Sequence, residues 1–295
     1  MTLFHGVLPA ITTPFLPNGQ VDHATLEAHG RWMLGCGCTG LVPCGSLGEG
    51  ATLSHDEKVA VIRTCVKAAG GKPVIPGIAA LTTDQAVRLA QDAVAAGAQG
   101  LMVLPPYVYG GDWEELGAHL GAVLEATPVP CLLYNNPVAY KVDLLPGQVA
   151  VLADRHPTLQ GIKESSTDAR RITALRVLLG TRLALGVGVD DCLLEGMAMG
   201  ATFWVAGLVN AMPRESVDLF RLVREGQWEE AFRLYAWFLP LLRLDTVPKF
   251  VQLIKLVQQE LGWGREAVRA PRRVLTGTER AQALATLQDA LATRA

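Results

Sequence analysis

The sequence predicts an α/β fold, a (β/α)8 barrel of the TIM type carrying a C-terminal helical appendage. Three observations lead there. Short apolar runs alternate with helix-like patterns eight times along most of the chain. Most of the runs are continuously apolar rather than alternating, which fits strands buried on both faces. After Gly226 the alternation stops and only helical patterns follow. The expected division is therefore a barrel over residues 1–225 and a helical region over residues 226–295. An open doubly wound sheet is the competing arrangement, and the regular count of eight favours closure.

The first expected strand spans residues 7–13 and is closed by Pro14; Asp22 then opens a helix reaching Gly35. Residues 40–44 form the second strand, ending in the turn Gly45-Ser46-Leu47-Gly48-Glu49-Gly50. Ser54 with Glu57 is a capping-box pattern, and its helix stops at Gly70-Gly71. Strands three, four and five are read at residues 74–78, 100–104 and 130–134, with helices at 84–96, 112–126 and 146–155. Trp113, Leu116, Leu120 and Leu124 show the helical period in the second of these. The sixth strand is the stretch from Leu159 that delivers Lys163, followed by a helix from Asp168 to Leu179. Strands at 183–188 and 203–207, with helices at 192–199 and 213–224, complete the eight. The appendage reads as helices over 228–242, 248–261 and 278–295, with Pro240 expected to kink or end the first.

Half of the 295 residues are hydrophobic and 18% are charged, enough for one large core. A formal net charge of −2 gives no general attraction to nucleic acid or anionic membrane. The basic cluster Arg265, Arg269, Arg272 and Arg273 lacks interleaved aromatics and reads as a solvated face. No apolar run is long enough to span a bilayer, and the N-terminus lacks a signal-peptide pattern, so a cytoplasmic location is expected. The six cysteines sit mostly in apolar segments, as reduced core residues do. Cys36-Gly37-Cys38 is too tight for a zinc pair, and the six histidines form no ligand cluster, so no metal is expected.

In a barrel, chemistry collects where strands end. Those ends here are the turn at Ser46, then Tyr107 and Tyr109, Tyr134, Lys163 and Gly186-Val187-Gly188. A lysine held in an apolar wall loses its proton more readily, and the neutral amine can attack a carbonyl. The plain alternative is a lysine paired with Glu164 or wet with solvent. Tyr134 offers a phenol for proton transfer to a carbinolamine. The turn at Ser46 can present N–H groups and a hydroxyl to an anion. A carboxylate fits it better than a nucleotide phosphate, because the Gly-Lys-Ser/Thr ending of a P-loop is missing. Each feature taken singly has a structural reading, a turn or a core residue; their arrival on one face favours a Schiff-base site.

Three motifs carry a resemblance to the dihydrodipicolinate synthase / N-acetylneuraminate lyase family of class I lyases. Gly45-Ser46-Leu47-Gly48-Glu49 is similar to that family's G-[ST]-T-G-E, and Tyr134-Asn135-Asn136-Pro137 to its Y-N-x-P. Gly161-Ile162-Lys163-Glu164-Ser165-Ser166 resembles the segment holding its Schiff-base lysine. Order and spacing agree along essentially the whole chain. The resemblance implies that Lys163 attacks the keto carbon of a 2-oxo acid and that Tyr134 relays the proton. It further implies that Ser46 and the N–H of Leu47 hold the carboxylate, that the backbones of Gly188 and Val205 line the pocket, and that the assembly is a homotetramer. The protonated imine is itself the electron sink, so no cofactor is expected.

The departures from the family bear on the substrate. Leu47 replaces a hydroxyl residue and breaks the hydroxyl relay to Tyr134. Val108 stands where synthases lend a tyrosine to a neighbouring subunit, flanked by Tyr107 and Tyr109. Ala139 stands where synthases place an arginine for the second substrate's carboxylate, and Lys141 is only a partial substitute. Asn135 to Tyr140, Gly188-Val189-Asp190-Asp191 and Trp204 to Asn210 look most like the 1-pyrroline-4-hydroxy-2-carboxylate deaminase branch. The expected function is thus a Schiff-base lyase on a small 2-oxo acid or cyclic imine, favoured as that deaminase. The alternatives are dihydrodipicolinate synthase, another pyruvate-type aldolase or 2-keto-3-deoxy acid lyase, and a non-catalytic 2-oxo-acid binder.

Overall fold

A computed structural model describes residues 3–294. Seven parallel strands form one sheet: β1 (Gly6–Pro9), β2 (Gly77–Ile78), β3 (Leu101–Val103), β4 (Cys131–Asn135), β5 (Leu159–Glu164), β6 (Ala184–Val187) and β7 (Phe203–Ala206), in the order β1-β7-β6-β5-β4-β3-β2. The eighth stave is the segment at residues 41–43. Val42 N–H donates to Pro9 O and Ile11 N–H to Val42 O, while Leu41 N–H donates to Pro73 O and Ile75 N–H to Leu41 O. These bonds join the segment to β1 on one side and to the residues before β2 on the other, and the barrel closes. The expectation of a full second strand is corrected here: only a Leu41–Val74 bridge forms. Ile75 and Gly77 both donate to this segment, but Pro43 has no N–H to return, so the ladder does not continue past the one bridge.

The helices after the strands are α1 (His23–Gly35), α2 (His55–Ala69), α3 (Thr83–Ala95), α4 (Trp113–Glu125), the single turn α5 (Pro137–Tyr140), α6 (Pro146–Arg155), α7 (Arg170–Leu179), α8 (Leu193–Ala198) and α9 (Pro213–Arg224). Three more follow: α10 (Trp228–Leu242), α11 (Phe250–Glu260) and α12 (Gly277–Ala292). The capping box at α2 forms as its residue types require, Glu57 N–H donating to Ser54 Oγ at 3.2 Å and Ser54 N–H to Glu57 Oε2 at 2.8 Å. Such a cap contributes about 1 kcal/mol. The expected helix over 228–242 forms as α10, and Pro240 does not end it, since the helix continues to Leu242. The proline lies close to the C-terminal end, where one missing donor disturbs little. The expected end of the last helix at Ala295 falls outside the described residues.

One irregularity sets the site. Cys131 pairs with Leu159, but Leu132 pairs with Gly161, so Gln160 is an extra residue on β5. A bulge of this kind shifts every later residue to the other face of the sheet. Because of it Lys163 lies directly opposite Tyr134. With unbroken register Lys163 would face Asn135 and point toward the helical layer. β3, β4 and β7 are buried throughout, as their continuous apolar runs predict. No helix among the described residues is long and apolar enough to cross a membrane.

Candidate active site

Lys163 is buried at 5% exposure near the C-terminal end of β5. Its Nζ lies 3.9 Å from the centroid of the Tyr134 ring. Glu164 is not its partner, because the strand alternates and Glu164 turns to the opposite side, where Asn135 Nδ2 and Ser166 N–H donate to it. Burial pushes the Glu164 carboxyl up, and those two donors oppose the rise. No protein hydrogen bond or ion pair holds Lys163 Nζ among the described residues, and what it lies against is the face of the Tyr134 ring.

Gly188 presses on this lysine. A methyl group at Gly188 would lie 2.0 Å from Ser165 Oγ and 2.5 Å from Lys163 Cε. Only a bare Cα leaves the lysine its path. Gly188 N–H donates to Glu164 O at 2.9 Å, which fixes that approach. Ser165 Oγ is itself buried with no partner. Val205 on β7 is buried, two residues beyond Phe203, which pairs with Gly186, the partner of Lys163; it therefore stands on the same inward face.

The turn at residues 45–50 is held from two sides. Cys44 and Glu49 both adopt left-handed backbone, φ 61° and 53°. Such conformations cost on the order of 1 kcal/mol each and persist only when the surroundings hold them. The Glu49 carboxylate supplies the hold: it accepts from Lys255 Nζ at 2.8 Å and from Arg269 N–H at 3.1 Å, fully buried. Lys255 also donates to Thr13 O. Burial pushes the Lys255 ammonium down, and Glu49 pulls it back up. Inside the turn Glu49 N–H donates to Ser46 O and Gly50 N–H to Gly45 O, while the N–H groups of Ser46 and Leu47 meet no protein acceptor among the described residues. Two free amides beside a hydroxyl make an anion cradle of carboxylate size.

The sequence reading left Ser46 without a hydroxyl partner, and Tyr140 supplies one. Ser46 Oγ forms a short hydrogen bond with Tyr140 OH, not with Tyr134. Tyr140 also packs edge-on against Tyr134, ring centroids 5.8 Å apart at 89°. The short helix α5 brings it there. Asn136 caps α5 by accepting from Ala139 N–H, and its amide donates to Tyr134 OH at 2.9 Å. Burial first, then the neighbouring Tyr134, push the Tyr140 phenol well above its usual value. Tyr107 packs on the outer side of Tyr140 at 5.5 Å, whereas Tyr109 is 61% exposed and donates to Glu115. Val108 and Ala139 are exposed. Lys141 donates to Val138 O and closes α5 with left-handed backbone, so it does not substitute for an arginine. Tyr140 was legible only as one residue of a motif; its inward turn depends on the cap at Asn136.

A second group holds two acids that the sequence reading gave no role, Asp190, named there only within a motif, and Asp245, not named at all. Asp190, after β6, is fully buried and accepts from Trp204 Nε1, Gly207 N–H and Leu208 N–H at 2.7–3.1 Å. Burial raises its carboxyl to about 6 against the pull of those donors and of Lys163. Asp245, in the turn after α10, lies against Gly207 with a buried Oδ1 that has no partner. Burial, then Asp190, push its carboxyl well above the usual range, against the opposing pull of Lys163. Its position 82 residues beyond Lys163 leaves no local signal in the sequence. No three His, Cys, Asp or Glu side chains gather as a metal site among the described residues.

A closed parallel barrel with an unpaired lysine at a strand end is the frame of the class I lyases, which work through a lysine Schiff base. The profile of the dihydrodipicolinate synthetase family matches residues 3–290. The 4-hydroxy-tetrahydrodipicolinate synthase of Agrobacterium fabrum is 33% identical over 270 residues, covering 91% of this chain and 92% of that protein. The synthase of Methanosphaerula palustris is 35% identical over 257 residues, covering 83% and 86%. Among solved structures, dihydrodipicolinate synthase from Aquifex aeolicus superimposes with a TM-score of 0.93 at 28% identity, covering 97% of this chain and 98% of that one. The prophage protein YagE of E. coli K12, solved with pyruvate, gives 0.93 at 26%, covering 98% and 99%. The chain belongs to the dihydrodipicolinate synthetase family, and it is an enzyme of the class I lyase type.

Proposed function

We propose that Lys163 is the Schiff-base nucleophile and that the substrate is 1-pyrroline-4-hydroxy-2-carboxylate, which the enzyme dehydrates and deaminates. The observation that carries this reading is the buried, unpaired Lys163 amine above the Tyr134 ring. The Ser46 and Leu47 amides hold the substrate carboxylate, and the bare Gly188 and the Val205 backbone shape the pocket around C2. Lys163 adds to C2 and the ring nitrogen departs as an amine on C5. Tyr134, oriented by Asn136, moves the proton between these nitrogens. Tyr140 continues the path to Ser46 from within the same chain, in place of a tyrosine from a neighbour.

The iminium at C2 then acidifies C3–H. Loss of that proton gives an enamine, whose electrons expel the C4 hydroxyl as water. Tautomerisation places an imine at C5, and hydrolysis there releases ammonia and leaves an aldehyde. Hydrolysis of the lysine imine frees the product. One water leaves and two enter, so the balance is one water consumed per ammonia released. Ala139 favours this reading over the synthase reaction, because no arginine stands there to hold a second carboxylate. The synthase reaction is the second reading, favoured by the names of the relatives. The proposed assembly is a homotetramer in the cytoplasm.

A substrate panel with borohydride trapping tests the reading: pyruvate with aspartate semialdehyde, N-acetylneuraminate, 2-keto-3-deoxy sugar acids and the hydroxy-pyrroline carboxylate. Ammonia release from the last, with reduced adduct mass on Lys163 and a loss of about 10²–10⁴ in Tyr134→Phe, is expected. Label on another residue refutes Lys163 as the nucleophile. Condensation with aspartate semialdehyde and no ammonia release moves the assignment to the synthase, and binding without turnover makes the chain a binder.

A further inference from the structure

The appendage contributes a residue to the barrel mouth. The carboxyl of Asp245 occupies the space that a side chain on Gly207 would take: a methyl there would lie 2.2 Å from Asp245 Oδ1 and 2.4 Å from Oδ2. That space lies on the inward face of the barrel. Phe203 pairs with Gly186, and Gly186 with Lys163, so Phe203, Val205 and, one step past the strand, Gly207 share the face of Lys163. Gly207 N–H is turned aside to Asp190, which leaves the Asp245 carboxyl without that donor.

The two acids have opposite surroundings. Asp190 accepts three N–H donors, which is the setting of an ionised carboxylate. Asp245 has a buried Oδ1 with no donor among the described residues and the Asp190 carboxyl beside it. Two acids sharing one low-dielectric site divide the roles, one charged and one protonated. The other charged groups around them are Lys163, Asp191 and Arg243, and Arg243 is occupied by Asp191 at 3.4 Å. Of the two, Asp245 is the acid whose surroundings favour the protonated form.

The segments after β6 and β7 bring Asp190, Gly207 and Asp245 together within electrostatic reach of Lys163. We propose that Asp245 is the acid that protonates the C4 hydroxyl as it leaves, an inference that rests on the substrate reading above. In that step the enamine electrons form the C3–C4 double bond, the C4–O bond breaks, and the Asp245 proton completes the departing water. The carboxylate left behind regains a proton from the water that enters for hydrolysis.

The test compares wild type with the isosteric Asp245→Asn by three readouts. Isotope-edited infrared spectra of the free enzyme at pH 7 are expected to show a protonated carboxylic acid band that Asp245→Asn lacks. Ammonia release from the hydroxy-pyrroline carboxylate is expected to fall about 10²–10⁴-fold, as for loss of a general acid. Trapping of pyruvate on Lys163 by borohydride is expected to fall less than tenfold. Absence of the band overturns the proposal whatever the substrate is, and so does turnover within threefold of wild type. Equal loss of trapping and turnover makes Asp245 a positioning residue for Lys163 and also overturns the acid role. Wild type that shows the band yet releases no ammonia sinks the substrate reading alone. The comparison then moves to dehydration of a 2-keto-3-deoxy sugar acid, where an unchanged Asp245→Asn, or an inert wild type, overturns Asp245 as well.

Discussion

Gly188→Ala is the most direct probe of how the lysine is held. The added methyl meets Ser165 Oγ at 2.0 Å, Lys163 Cε at 2.5 Å and Lys163 Cγ at 2.6 Å. Carbon atoms in contact prefer about 3.5–4.0 Å, so the lysine must retreat by about 1 Å. Overpacking of this degree costs about 1–3 kcal/mol of stability. A misplacement of about 1 Å in a reacting group costs on the order of 10²-fold in rate. The assay is the rate of borohydride-trapped pyruvate adduct on Lys163 by mass, beside a thermal melt. Ser165→Ala combined with Gly188→Ala removes the nearest clash and leaves the one with the lysine. The double variant should therefore regain stability while adduct formation stays slow. Adduct formation by Gly188→Ala within threefold of wild type would refute the claim that this glycine sets the path of Lys163.

Two further perturbations test the scaffold. Glu49→Gln strips the charged partner from the buried Lys255 and should cost about 3–5 kcal/mol in a thermal or denaturant melt, with Glu49→Gln/Lys255→Met milder because no fully buried charge is left unpaired and Arg272, the other partner of Glu49, is part-exposed; a loss under about 1 kcal/mol in the single variant contradicts the assigned anchor. His29, buried with Nε2 against Asn210 O, has its pKa pushed down to about 4 by burial, so the folded state holds it neutral. The unfolded chain takes up that proton near pH 6.5, so stability is full above this value and falls as pH drops toward 4, by about 3 kcal/mol at most. His29→Gln should flatten the slope of stability between pH 6.5 and 5, and an unchanged slope contradicts the assignment.

Much of the fold was legible because it is written locally. Continuous apolar runs such as residues 131–134 and 203–206 become strands buried on both faces, and caps such as Ser54 with Glu57 form from their own residue types. The second stave was misread because apolar content was visible while the donor missing at Pro43 takes effect only when the two segments meet. The motif residues Ser46, Tyr134 and Lys163 could be placed on the mouth from strand ends alone, since a barrel sends those ends to one face.

What the sequence by itself determined is the eightfold alternation, the lysine near the end of an apolar run and the glycine-rich turn before α2. These follow from period, composition and turn chemistry, which need no partner to be read. What only the tertiary structure decided is which way these groups face and what meets them. The extra residue Gln160 turns Lys163 onto Tyr134, a cap at Asn136 turns Tyr140 onto Ser46, and the turn after α10 lays Asp245 over Gly207. The reason is physical: a one-residue slip in a ladder leaves the hydrophobic pattern almost unchanged yet reverses a face, and contacts between residues far apart in the chain leave no period to detect.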